Sequence, residues 1–432
     1  MPANAIQRTV AFDREASFAD VTAKNWDALT VNGDVILCHD LTFDARRPKI
    51  PNKNLKQRAG ATRPGVLSLK NHPVGFSYYW KANSANAAEA AQAARTAQDE
   101  LLFNALGGEH RGFAAGIAGG TAGAPTVEAA HGNNLVPYGW SFFYDTDATQ
   151  GFFRQYASIA DGGAGADTLT MATGHDLPFT PDVGGADVAH ACVAHYAHWD
   201  ALEDHTHASH TSLTMFFKGR HTERSSESKG CKLGVEMTAI EQGTIPELIF
   251  SGLGTDFDTD GITQPALSVT PEGGPGSVVG SGSTTLCYLV TSAATLATQT
   301  FWGSITPTFG IVPERVHGPN GREGVHGHGI TEDSYDASGI EITVPFDDSW
   351  ITAYHAETTY HMLVQIGTAI IGSRFLYCPL LAFAEEPQPV SVGGREGLTL
   401  RFTMLERDVA QGTMTEAQYH GARAKFVIGR VG

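Results

Sequence analysis

The densest run of chemistry-bearing side chains is HACVAHYAHWDALEDHTHASH, residues 190–210. His190, Cys192, His195, His198, His205, His207 and His210 are all zinc-ligand types. Their spacing fits no closed tetrahedral motif, and no second Cys/His pair stands at a defined distance. Histidine also recurs elsewhere, at His326, His328, His355 and His361, so composition accounts for much of the run. No metal is expected there. DFDTDG, Asp256 to Gly261, opens like a calcium loop, but the twelfth position is Leu267 where a bidentate Glu is needed. It reads as an acidic turn after a strand. GGPGSVVGSGST lacks the Gly-Lys-Ser/Thr end of a phosphate loop and reads as a linker. No GxSxG elbow, Cys–His pair or carboxylate pair at a strand end stands out. No catalytic residue or cofactor is assigned, and the chain is not expected to be an enzyme.

The other charged feature is basic. Arg46, Arg47, Lys49, Lys53, Lys56, Arg58 and Arg63 give Ala45 to Pro64 a charge of +7 with no acid inside it. The whole chain carries −17, so the remainder sums to −24. A segment so poor in large apolar residues buries little, and reads as an arm that seeks an acidic partner. A solvated loop is the plainer reading.

The elements that must position these groups are mostly strands. From Gly339 to Gly372 the pattern is strand, helix, strand. Ile340, Ile342, Val344 and Phe346 share one face, Asp347, Asp348 and Ser349 supply N-cap chemistry, and Tyr360, Met362, Val364 and Ile366 resume a period of two. Val66 to Lys81 is strand-like and leads into an Ala-rich helix, Ala85 to Leu106, stopped by Gly107 and Gly108. Arg111 to Gly151 reads as loop. The expected fold is mainly β: two tandem β-sandwich or part-barrel domains, each with one flanking helix, plus an extended N-terminal arm. Residues 1–272 form the first, with the arm (45–64) and the His-rich insertion; 273–284 is a Gly/Ser linker; 285–432 is the second. The helices Ala85–Leu106 and Ser349–Thr358 should hold equivalent places.

The balance of 49 Gly and 20 Pro with 17% charged residues suits many turns and short strands. A net charge of −17 repels phosphate, which argues against sequence-specific nucleic-acid binding. Five scattered cysteines with no CxxC pair read as reduced, buried thiols. The N-terminus has no apolar core of a signal peptide, and the apolar stretch 360–384 is interrupted by Gln365, Ser373, Arg374 and Pro379, so no membrane insertion is expected.

Two stretches resemble the tail tube (major tail) proteins of long-tailed bacteriophages. One is SLTMFFKGRHTERSSESKGCKLGVEMTAIEQGTIPELIFSGLGTDF, Ser212 to Phe257; the other runs from FWGSITPTFGIVPERV through GIEITVPFDD and MLVQIGTAIIGSRFLYCPLLAF to GLTLRF, Phe301 to Phe402. The second is similar to the C-terminal half of the family's two-domain members. The resemblance covers about half of the chain. It implies a non-enzymatic virion protein, made in the host cytoplasm and located in the tail. Three copies would close a ring of pseudo-sixfold symmetry, and rings would stack into the conduit for DNA ejection. Its partners would be itself, the tape measure, tail terminator and distal tail proteins, and genomic DNA passing without sequence-specific binding. The family's long loop near residues 45–64 points to inter-ring contact for the arm. A tail terminator, distal tail or baseplate ring protein is the nearer alternative. A metal- or carbohydrate-binding β-sandwich is the alternative of another class.

Overall fold

Short alternating apolar runs separated by turn residues fold here as strands, as a period of two requires. The computed structural model describes residues 8–15, 35–43, 49–50, 66–67, 72–80, 92–93, 95–128, 135–163, 165–182, 187–203, 212–218, 226–258, 279, 285–300, 302–322, 325–392 and 394–432. Among them the chain is mainly β, with 27 strands and five helices. No helix among the described residues is long and apolar enough to cross a membrane.

The first sheet gathers strands from both sides of a long insertion. In chain order come β1 (Arg8–Arg14), β2 (Val35–Phe43), the short pair β3 (Lys49–Ile50) and β4 (Val66–Leu67), β5 (His72–Tyr79) and helix α1 (Ala97–Leu106). The insertion holds β6 (Gly107–Arg111), β7 (Ala115–Thr121), β8 (Ala124–Val127), β9 (Trp140–Asp145), β10 (Gln150–Ala160), β11 (Asp167–Met171), β12 (Val188–Ala197) and α2 (Trp199–Glu203). The chain then returns with β13 (Leu213–Lys218), β14 (Ser226–Met237), β15 (Ile240–Glu241), β16 (Glu247–Gly254) and β17 (Asp256–Asp258). The order across this sheet is β13-β1-β2-β5-β16-β14-β17, and β13 also pairs β14, which closes six of the strands into a barrel.

The second half repeats that plan. It contains β18 (Thr285–Thr291), β19 (Ser304–Thr308), a hairpin of β20 (Pro313–Arg322) and β21 (Val325–Ile330), α3 (Glu332–Asp336), β22 (Gly339–Pro345), α4 (Asp348–His355), β23 (Tyr360–Ile366), β24 (Arg374–Phe383), β25 (Gln388–Val392), β26 (Arg395–Met404), α5 (Glu416–Arg423) and β27 (Val427–Val431). Here β23 pairs β18 and β24, β24 pairs β26 and β27, and β26 pairs β22, which pairs β19. Strand for strand this is the pairing of the first set. One link differs: β18 and β19 form no ladder, and Thr300 N–H instead bonds Cys287 O at 2.8 Å. The registers match as well. Leu213 faces Cys231 and Met215 faces Ser228, an advance of two against three; Tyr360 faces Leu381 and Met362 faces Cys378, the same bulge at the same place. Both sets place their helix between the third and fourth strands, α1 after β5 and α4 after β22. Both also place a hairpin between the second and third strands, β3–β4 in one and β20–β21 in the other.

One apolar core runs through both sets, from Phe12, Phe76 and Phe250 to Ile342, Met362 and Phe402. The two backbones meet closely. A Cβ on Gly234 of β14 would lie 1.9 Å from Ile311 O, so only glycine fits there. Glu236 on the same strand accepts from Phe309 N–H at 3.0 Å and Gly310 N–H at 2.9 Å. Val279, inside the Gly/Ser segment, is buried and bonds Gly243 and Thr244 by main chain, so at that residue the segment is part of the core.

Several elements differ from the sequence expectations. The described residues of 111–151 form strands where a loop was expected: β7, β8 and β9, with β10 and β11 after them, close on β12 around Ile117, Val127, Phe143, Tyr156 and Leu169. The first part of the His-rich run, 190–197, lies in β12, and β12 pairs β27, which ties the insertion to the second set. For this reason β23 is buried on both faces although its sequence alternates. Its second face meets the insertion, where Gln365 accepts from Phe153 N–H at 3.0 Å and donates to Gly151 O at 2.7 Å. Helix α1 begins at Ala97, capped by Thr96, and 81–91 lie outside the described residues. All five cysteines are free and buried.

Phe402 is 2% exposed, with its ring 4.6 Å from Phe383 and 5.8 Å from Tyr360. Phe402→Ala is expected to lower the unfolding free energy in urea by about 3–5 kcal/mol. A loss below about 1 kcal/mol would contradict the register of β26.

Candidate functional site

The most heavily constrained polar group sits where the repeats and the insertion meet. Asp99 occupies the first turn of α1, where its carboxylate accepts from Thr96 N–H at 2.7 Å and Thr96 Oγ1–H at 2.9 Å. The same carboxylate accepts from Arg430 of β27 through Nε at 3.2 Å and also through Nη2. His195 Nε2 of β12 lies 3.2 Å from Asp99 Oδ1. Burial by itself would raise the Asp99 carboxyl. The Arg430 guanidinium and the His195 ring reverse that and hold it well below the usual carboxylate range. A line of charges continues outward: Arg95 bridges Glu109 and Glu100, and Arg14 of β1 reaches Glu100 at 2.7 Å. A carboxylate beside a histidine can orient a general base; here all three side chains are 1–2% exposed and the carboxylate is shared with Arg430. The arrangement is a lock.

The candidate docking surface lies at the other helix. In α1, Leu101, Leu102, Ala105 and Leu106 are at most 1% exposed, covered by β14 on one side and by β6 and β12 on the other. In α4 no residue is buried. Trp350 leans on Tyr360 and Tyr354 on Phe383, with ring centroids 5.5 and 5.8 Å apart. Beside them runs an open groove of about 600 Å³ lined by Tyr354, His355, Glu357, Thr359, Ala382 and Phe383. Phe346, at the mouth of the helix, is 47% exposed because its strand ends at Pro345.

The predicted basic residues are placed only in part. Lys49 lies in β3, whose main chain pairs with β4, so the arm is rooted as a hairpin between β2 and β5. Arg46, Arg47, Lys53, Lys56, Arg58 and Arg63 lie outside the described residues. Of the His-rich run, His190 and His195 are buried in β12, and His205, His207 and His210 lie outside the described residues. His198 meets Glu416 and His420 of α5, a neighbourhood that local spacing could not reveal.

Two outcomes are expected. Asp99→Ala takes from buried Arg430 the carboxylate that balances its charge, and should cost about 3–5 kcal/mol in chemical unfolding; a cost under about 1 kcal/mol would remove the lock. Burial pushes the rings of His190 and His361 down to about 4 and His328 to about 3, and holds His175 well below its ordinary value. An unfolded chain protonates these rings near pH 6.5, so between about pH 6.5 and 4 the folded state binds fewer protons. Stability should therefore fall as the pH drops through that window, by several kcal/mol in all, read as a falling urea midpoint. A midpoint that holds or rises between pH 7 and 4.5 would contradict it. Compared with models of known protein families and with curated proteins, the sequence matches none.

Proposed function

We propose that the chain is a structural protein of the tail tube type, which assembles with copies of itself into trimeric rings that stack into a conduit for DNA in a virion tail. The observation that carries this reading is the repeat: two seven-stranded sets with one pairing order, one bulge position, one helix position and one hairpin position. Three such chains supply six like sets around an axis.

Four further features support it. The insertion covers α1, while the equivalent α4 is open, so a head-to-tail neighbour has a surface to cover. Strand β17 pairs the long strand β14 as its counterpart β27 pairs β24, so the seventh strand holds one place in both sets. The two hairpins both leave from between the second and third strands, as arms toward an adjacent ring would. A surface of −17 lets DNA slide without sticking.

Negative-stain micrographs of purified protein test the reading directly. Long tubes of uniform width are expected. Single rings point instead to a terminator or baseplate component, and small monodisperse particles at every concentration refute self-assembly. Phe346→Glu should leave the melting temperature near that of the parent chain and abolish rings, since it charges the exposed apolar residue that leads into α4. Deleting Pro48 to Ala61 should leave folded subunits or single rings that no longer stack. High salt should weaken stacking of the intact protein in part, because exposed ion pairs are screened. Tubes of normal length from the deletion variant would show that the arm is not the inter-ring connector.

A further inference from the structure

Helix α5 is held against the insertion by an arrangement that its packing does not require. Thr415 caps it with Gln418, and Tyr196 of β12 donates to Ala417 O at 2.7 Å, which fixes its first turn. Glu416 and His420, one helical turn apart, then face His198 and Asp200 across the gap. His198 Nε2 is 3.6 Å from Glu416 Oε1, and His420 Nε2 is 3.0 Å from Asp200 Oδ2. The two imidazoles stack with centroids 4.1 Å apart. One donor atom from each of His198, Glu416 and His420 falls within 4.8 Å of the others. Two imidazole nitrogens and one carboxylate oxygen so gathered are three of the ligands of a four-coordinate zinc ion, and the Asp200 carboxylate beside His420 is the nearest candidate for the fourth.

We propose that His198, Asp200, Glu416 and His420 form a binding site for a divalent transition metal, zinc by preference, which clamps α5 to the insertion. This goes beyond the assembly reading and stands whether or not the chain forms tubes. The two histidines are 2% and 14% exposed and the two carboxylates about half exposed, so the nitrogen side is preformed and the oxygen side is open to entry. His198 Nδ1 lies 3.3 Å from Ala201 N–H and accepts from it, so without metal the ring proton sits on Nε2. Zinc takes the Nε2 lone pair, that proton moves to Nδ1, and the Ala201 bond is given up. A carboxylate pair and two imidazoles also fit Co²⁺ and Ni²⁺, while hard Mg²⁺ prefers an all-oxygen shell.

Titration of chelator-treated full-length protein with ZnCl₂, followed by calorimetry and elemental analysis after dialysis, tests the site. One zinc per chain and a higher melting temperature are expected, with no response to MgCl₂. Co²⁺ in place of zinc should give the intense visible absorption of a tetrahedral site. His420→Ala and Glu416→Gln should each lose the stoichiometric ion while keeping the parent circular-dichroism spectrum. The triple variant His205→Asn, His207→Asn, His210→Asn should keep it. Zinc binding that survives His420→Ala and Glu416→Gln, or that disappears in the triple variant, would overturn the proposal. So would the absence of any bound zinc in the parent chain.

Discussion

A carboxylate with no access to water must find its compensation inside the protein, and Asp99 finds it from three directions at once. The helix gives it the Thr96 donors, the insertion gives it His195, and the last strand gives it Arg430. None of these suffices alone against the cost of removing a charge from water. The consequence is topological. Arg430 can pair with Asp99 only if β27 lies beside β12, and β12 lies there only if the insertion has folded between α1 and β13. A contact across 331 residues thus makes the first repeat, the insertion and the second repeat interdependent. The charge line through Arg95, Glu109 and Glu100 to Arg14 carries the same dependence to β1.

The repeat explains features that would otherwise look unrelated. Gly234 admits Ile311 because the second set must approach β14 closely, and Glu236 accepts the two amide protons that the turn after β19 leaves without strand partners. The bulge between β13 and β14 recurs between β23 and β24 because in each set one long strand must change partner along its length. Its first part pairs with the seventh strand and its second part with the sixth.

Much of this was legible in the residues themselves. The alternation of Ile340, Ile342 and Val344 and the acids at Asp347 and Asp348 place β22 and α4 correctly, because strand period and helix capping are local physics. The helix ending at Gly107 was legible for the same reason, since that glycine adopts φ +78°. What was not legible is where burial comes from a distant partner. The stretch AGIAGGT has too few large side chains to show a period, yet it is a strand because β8 and β12 flank it. His198 belongs to a conspicuous run, but the residues it meets are on α5, and no spacing within the run could name them. The basic arm was visible by charge alone, and the structure adds where it is rooted rather than what it touches.

The two repeats are alike in topology and unlike in what surrounds them, and that inequality has a physical reading. In a ring of the kind proposed above, a single-set protein would present identical interfaces at every step. Here one interface lies within the chain and is reinforced by the buried Asp99–Arg430 pair, whereas the corresponding face at α4 carries partly exposed aromatics and no buried charge. Buried, fully bonded charge suits a contact made once, during folding, since breaking it leaves an unpaired ion in the core. Apolar and aromatic surface that water can cover suits a contact made later and between molecules, because each partner is stable before they meet. The insertion follows the same division. It stands only in the first repeat, between α1 and β13, and its strands cover α1 while α4 has no such cover.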